Sequence, residues 1–162
     1  MIPLRRVLLA SAALVLAGCA SPQWQKPGTS LAAVKQALGA PTLVVPIDGG
    51  GERLLYSRQP AGQQVYHLDF DAQRRLVSVT QVLTEARFQA LRDGVDTRAT
   101  VLATFGPPAL VERVARFDGD IWTYRLMENL TPRQAHVHLD PDGVVRRVMF
   151  TDEILGDFDP GR

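Results

Sequence analysis

Two stretches of this chain read as the same phrase. "GTSLAAVKQALGAPTLV" spans Gly28–Val44 and "GVDTRATVLATFGPPALV" spans Gly94–Val111, and the pairs Val34/Val101, Leu38/Phe105, Gly39/Gly106 and Pro41/Pro108 recur at one fixed separation. Self-similarity of this kind is the mark of an internal duplication, and it limits the fold more than composition does. Whatever unit the first copy builds, the second builds again.

Each phrase carries helix punctuation. Thr29 or Ser30, and then Asp96 or Thr97, offer side-chain oxygens to the free N–H groups of a helix start. Leu31, Val34, Ala37 and Leu38 recur at three-to-four spacing, as do Val101, Leu102 and Phe105. Gly39 and Gly106 are expected to end these helices in the left-handed conformation, with prolines just beyond to prevent continuation.

Strand patterns follow. Leu43–Ile47 and Leu110–Ala115 are rich in branched residues. After turns expected at Asp48–Gly51 and Asp118–Asp120, Glu52–Ser57 and Ile121–Leu126 alternate, with Leu54 and Tyr56, and Trp122, Tyr124 and Leu126, as core positions. Third strands at Val65–Phe70 and Ala135–Leu139 turn Tyr66, Leu68 and Phe70, or Val137 and Leu139, to one side. Last strands run through Leu76–Val82 and Val144–Phe150, and Thr84–Gly94 reads as an extra short helix between the copies. The expected fold class is α+β, with two tandem small units, 28–82 and 83–150, each packing helices on an antiparallel sheet of three to four strands. The acidic tail, 151–162, is expected to be loosely ordered.

The N-terminus speaks to location. Arg5 and Arg6 precede the uncharged apolar run Val7–Ala17, which is about half the roughly 20 residues a membrane-spanning helix needs and fits the apolar region of a signal peptide. Residues 1–18 are read as that signal. Leu16-Ala17-Gly18-Cys19 resembles the bacterial lipobox, and Cys19 is the sole cysteine. The resemblance implies cleavage before Cys19, a diacylglycerol on its thiol and an acyl chain, such as palmitate, on its amine. Each buried methylene would add about 0.8 kcal/mol, so such an anchor would be effectively permanent. Ala20 and Ser21 follow, with no Asp to signal inner-membrane retention, so an outer-membrane destination facing the periplasm is expected. Residues 19–27 are read as the lipidated cysteine and a short tether. Removing the signal takes two of the 18 basic residues and leaves 16 against 17 acids, so the formal +1 disappears. Nothing in that balance points to nucleic acid.

Gly28-Thr29, Gly39-Ala40-Pro41, Gly106-Pro107-Pro108, Trp122-Thr123-Tyr124 and Asp140-Pro141-Asp142-Gly143, set in a small lipoprotein, resemble the BamE (SmpA/OmlA) family. The resemblance implies helices packed on one face of a small antiparallel sheet, and a role accessory to the machinery that assembles outer-membrane β-barrels. The tandem arrangement is also similar to the β-lactamase inhibitor proteins, which grip a partner with an open sheet face.

The residues show little sign of catalysis. No nucleophile elbow, P-loop or Rossmann glycine pattern occurs, and Gly49-Gly50-Gly51 reads as a hairpin connection. Asp140 and Asp142 lack the remaining ligands of a calcium loop and read as turn formers. No cofactor is implied. His136 and His138 share a strand face, and with His67 they could ligate zinc or copper; no HExxH accompanies them, and they read first as solvated residues on an open sheet face. The leading expectation is a non-enzymatic binding or scaffold module for an envelope protein, presenting Arg53, Leu55, His67, Asp69, Ile121, Arg125, His136 and His138 as one open surface. Leu55 and Ile121 are its expected apolar centre. The alternatives are an inhibitor-like module for a periplasmic or secreted enzyme, and a metal-binding envelope protein.

Overall fold

The computed structural model describes residues 20–154. Cys19, the signal-like segment before it and the tail from residue 155 onward lie outside the described residues. The fold is α+β: two four-stranded antiparallel sheets with a few short helices. The first sheet runs in sequence order through β1 (Leu43–Ile47), β2 (Gly51–Ser57), β3 (Val65–Phe70) and β4 (Leu76–Gln81). The second repeats that order in β5 (Leu110–Val114), β6 (Phe117–Glu128), β7 (Thr131–Leu139) and β8 (Val145–Asp152). Helix α1 (Leu31–Leu38) precedes the first sheet; α2 (Glu85–Gln89) and α3 (Arg98–Phe105) precede the second.

The duplication extends to single hydrogen bonds. Ser30 and Thr97 cap α1 and α3, accepting from the amides of Ala33 and Thr100. The amide of Gly28 donates to Leu76, and that of Gly94 to Val145. The Tyr56 hydroxyl reaches the carbonyl of Gly39 at 3.0 Å, and the Tyr124 hydroxyl that of Gly106 at 2.8 Å. Both glycines end their helices as expected but in a different conformation. They pair φ of 80° and 74° with ψ of −162° and −168°, an extended positive-φ region open essentially to glycine, because a strand has to leave at once.

The units stack front to back. On one face of the first sheet, Leu54, Tyr56, Leu68 and Phe70 pack on Leu31 and Val34 of α1. On its other face, Leu55 and Val65 share a core with Phe88 of α2, Val101 and Phe105 of α3, and Tyr124, Leu126, Val137 and Leu139 of the second sheet. Phe88 stacks on Phe105 with ring centres 4.0 Å apart, and both lean on Tyr124. The layers therefore run α1, first sheet, α2 with α3, second sheet.

Three local expectations are corrected. The β5–β6 turn lies at Ala115–Arg116, and the Asp118–Asp120 segment is strand. Arg98 and Arg113 hold the Asp120 carboxylate at 2.7 and 2.8 Å, and a Cβ on Gly119 would come within 2.1 Å of the Leu139 carbonyl, so the segment stays extended where only glycine fits. Strand β8 continues through Thr151 and Asp152, and the Glu153 amide bonds the Pro132 carbonyl, so the first three residues of the stretch read as a loose tail are held to the sheet. Part of the stretch read as a tether is packed: Ser21 and Pro22 are buried, Pro22–Trp24 forms a short turn, and Gln23 accepts from the Tyr66 hydroxyl at 2.5 Å.

Candidate binding surface

Strand alternation puts Arg53, Leu55, His67 and Asp69 on one face of the first sheet, through the pairs Arg53↔Asp69 and Leu55↔His67. That face is covered. Leu55 is 0% exposed, and a Cβ on Gly106 would sit 2.9 Å from its Cδ2. His67 is 4% exposed, with Nε2 2.7 Å from the Thr104 carbonyl at the end of α3. A carbonyl only accepts, so Nε2 carries the proton and donates. Burial, followed by the charge of Arg53, lowers the His67 pKa to about 4 and keeps the ring neutral. Arg53 and Asp69 form a two-pronged ion pair at 2.6 and 2.8 Å beside it. The Asp69 hydrogen bond is the main cause raising the guanidinium pKa. Expected exposure at Leu55 and His67 is thus corrected: the second unit's helices occupy that space.

The other four residues lie on the second sheet, on the face opposite α2 and α3. Cross-strand rows there read Glu112↔Ile121↔His138↔Arg147 and Leu110↔Thr123↔His136↔Met149. The His136 ring bridges two threonines, with Nδ1 2.9 Å from the Thr123 hydroxyl and Nε2 2.9 Å from that of Thr151. His138 lies edge-on to Phe117 with centroids 4.9 Å apart, and Arg147 reaches over Phe117. The His138 Nδ1 is buried without a hydrogen-bond partner. Burial lowers the pKa of both histidines, with Arg147 adding to the effect at His138. Ile121 and His138 are buried among these neighbours, at 8% and 4% exposure, so the expected exposure of both is corrected too, while Met149 remains exposed. Arg125 lies toward the opposite end, paired with Glu153 at 2.5 Å and donating to the Pro60 and Ala61 carbonyls.

The eight residues therefore divide between one covered face and one outer face, and no continuous two-unit surface exists in this arrangement. His67 is separated from His136 and His138 by the helical layer, and among the described residues no group of three metal-ligating side chains converges. Sequence reasoning missed Phe117, whose strand begins earlier than its pattern suggests, and the partners Thr123 and Thr151. It also missed Gln59, whose side chain meets both the amide and the carbonyl of Arg125 where β5 no longer pairs with β6. No local pattern marks that contact, because its partners are 66 residues apart.

These features define a stacked pair of α+β units whose outer sheet face carries no helix among the described residues. The chain is similar to a crystal structure of a DUF4309 family protein (YjgB) from Bacillus subtilis, with 19% identity over 77% of this chain and 79% of that one, and a TM-score of 0.32. No family model and no curated protein matches it.

Proposed function

We propose that this chain is an outer-membrane lipoprotein of BamE-like (SmpA/OmlA) character, anchored through Cys19 and facing the periplasm. Its body acts as a non-enzymatic binding or scaffold module, accessory to β-barrel assembly or envelope integrity. The observation that carries this reading is the Leu16-Ala17-Gly18-Cys19 sequence behind a basic start and an apolar run too short to span a bilayer. The outer face of the second sheet, with exposed Met149 and Arg147 and half-buried His136 and Phe117, is the surface we assign to a protein partner, because the matching face of the first sheet is already used inside the fold.

The test is fractionation and intact-mass measurement of wild type and Cys19→Ser, with recovery of bound proteins from detergent-solubilised outer membranes. The wild type should sediment with the outer membrane, carry acyl mass on Cys19 and retain barrel-assembly components, and Met149→Asp should weaken that retention. Wild type without lipid, or Cys19→Ser that is cleaved and still sediments, would overturn the anchor. A lipidated wild type that retains no envelope protein would overturn the scaffold role.

A further inference from the structure

The β6–β7 hairpin closes at the pair Glu128↔Thr131 through Asn129 and Leu130, whose φ values are +48° and +64°. A two-residue turn with both central residues at positive φ ordinarily has glycine second, because there a Cβ crowds the following carbonyl. Leu130 occupies that position and is 93% exposed, so it adds nothing to the core. Two more exposed apolar side chains flank the tip. Met127 pairs with Pro132, and Ile154 follows Glu153, whose amide bonds the Pro132 carbonyl.

The same end of the body carries the anchor. Buried Ser21 accepts from the Arg58 guanidinium at 3.3 Å, at the start of the β2–β3 loop. That loop reaches the second sheet close to the hairpin, with Gln63 donating to Glu153 at 2.6 Å and Gln59 meeting the Arg125 backbone. Only Ala20 separates Ser21 from Cys19. At about 3.6 Å per extended residue, the two steps span roughly 7 Å. Acyl chains on Cys19 would therefore hold this end of the body against the headgroups. Trp24, 63% exposed in the turn after Ser21, is the residue type that settles at a membrane interface.

We infer that the Asn129–Leu130 hairpin tip, flanked by Met127 and Ile154, is a lipid-contacting wedge that dips into the leaflet holding the Cys19 acyl chains and fixes the body's orientation on it. This rests on the reading of Cys19 as lipidated. Leu130, Met127 and Ile154 would lie at the acyl boundary, as the apolar side of an interfacial segment does. The second sheet would then meet its partners at a set tilt.

The test uses the mature acylated chain carrying Leu130→Cys. Cys19 is the only native cysteine and its sulfur is occupied by lipid, so the new thiol is unique and takes a nitrobenzoxadiazole label. Ala72→Cys, exposed in the β3–β4 turn at the far end of the first sheet, is the reference. Both are reconstituted in phosphatidylethanolamine vesicles containing phosphatidylglycerol and a nitroxide-labelled lipid. The label at 130 should shift to the blue and be quenched several-fold more than the label at 72. Equal quenching in an acylated, vesicle-bound chain would overturn the wedge and leave the lipoprotein reading standing. A mature chain with an unacylated Cys19 would overturn both.

Discussion

Tyr124 donates its hydroxyl to the carbonyl of Gly106, 18 residues back in sequence, across 2.8 Å of buried protein. Tyr56 does the same for Gly39 in the first unit, at 3.0 Å. The two bonds do the same job, tying a helix end to the second strand of its sheet, but in different surroundings. Gly106 is buried under the first sheet, whereas Gly39 is exposed. Tyr124→Phe should therefore cost about 1–3 kcal/mol, because the orphaned carbonyl cannot reach water, and Tyr56→Phe about 1 kcal/mol or less. Urea unfolding of the two variants measures the difference, and equal losses would contradict this account.

Leu55 tests the stacking. If the first sheet's second face were open, Leu55→Ala would be nearly neutral. Packed under α3, it should cost about 2–5 kcal/mol, as large-to-small changes in a core do. Val44→Ala, on the exposed edge strand β1, should stay within about 0.5 kcal/mol of wild type. Leu55 and Val65 belong to the same core as the second sheet, so both variants should still unfold in one transition. Two separated transitions in the wild type would mean that the units fold independently.

Acid should loosen the same junction. In the folded chain the His67 pKa is about 4, below the ordinary 6.5, so between those values the unfolded chain takes up a proton that the folded chain refuses. Stability is complete above about pH 6.5 and falls as pH drops toward 4. His136 and His138 are shifted the same way and add to the slope. Asp96 and Asp140 are held low, first by an Arg92 hydrogen bond and by the Val144 amide respectively, and lose their contributions at lower pH. Melting temperatures from pH 7 to pH 4.5 should show a shallower fall for His67→Gln than for wild type. Parallel curves would show that His67 does not titrate in this window.

The helix caps and the core positions Trp122, Tyr124 and Leu126 were legible in the sequence because each is a local pattern, set by one turn of helix or by the two-residue period of a strand. The period also grouped Arg53, Leu55, His67 and Asp69 correctly on one face. It could not say what covers that face. The cover is α3, whose Thr104 is 37 residues from His67, and polar neighbours around Leu55 read as solvent-facing when they are an ion pair and a neutral histidine at a packed junction. At the second sheet's equivalent positions, Ile121, Thr123 and His138 are buried and His136 is half-buried, with no helix of the described residues packed over them. Duplication was thus readable, and its stacking order was not.

Leu130 separates stability from surface function. At φ +64° the leucine bears a left-handed penalty of about 1 kcal/mol that glycine would relieve, and Asn-Gly is the preferred pair for this turn. The side chain is almost wholly exposed, so its removal takes nothing from the core. Leu130→Gly should therefore leave the protein as stable as wild type or more stable by up to about 1 kcal/mol, with the β6–β7 register kept by the nine pairs from Asp120↔Leu139 to Glu128↔Thr131. If the proposed lipid anchor and wedge hold, the same variant should remain lipidated and abundant in the cell but retain envelope partners less well, since its body would no longer be held at one tilt. Thermal unfolding of purified Leu130→Gly alongside wild type measures the first effect. A melting temperature several degrees below wild type would mean that Leu130 packs against something in the folded protein.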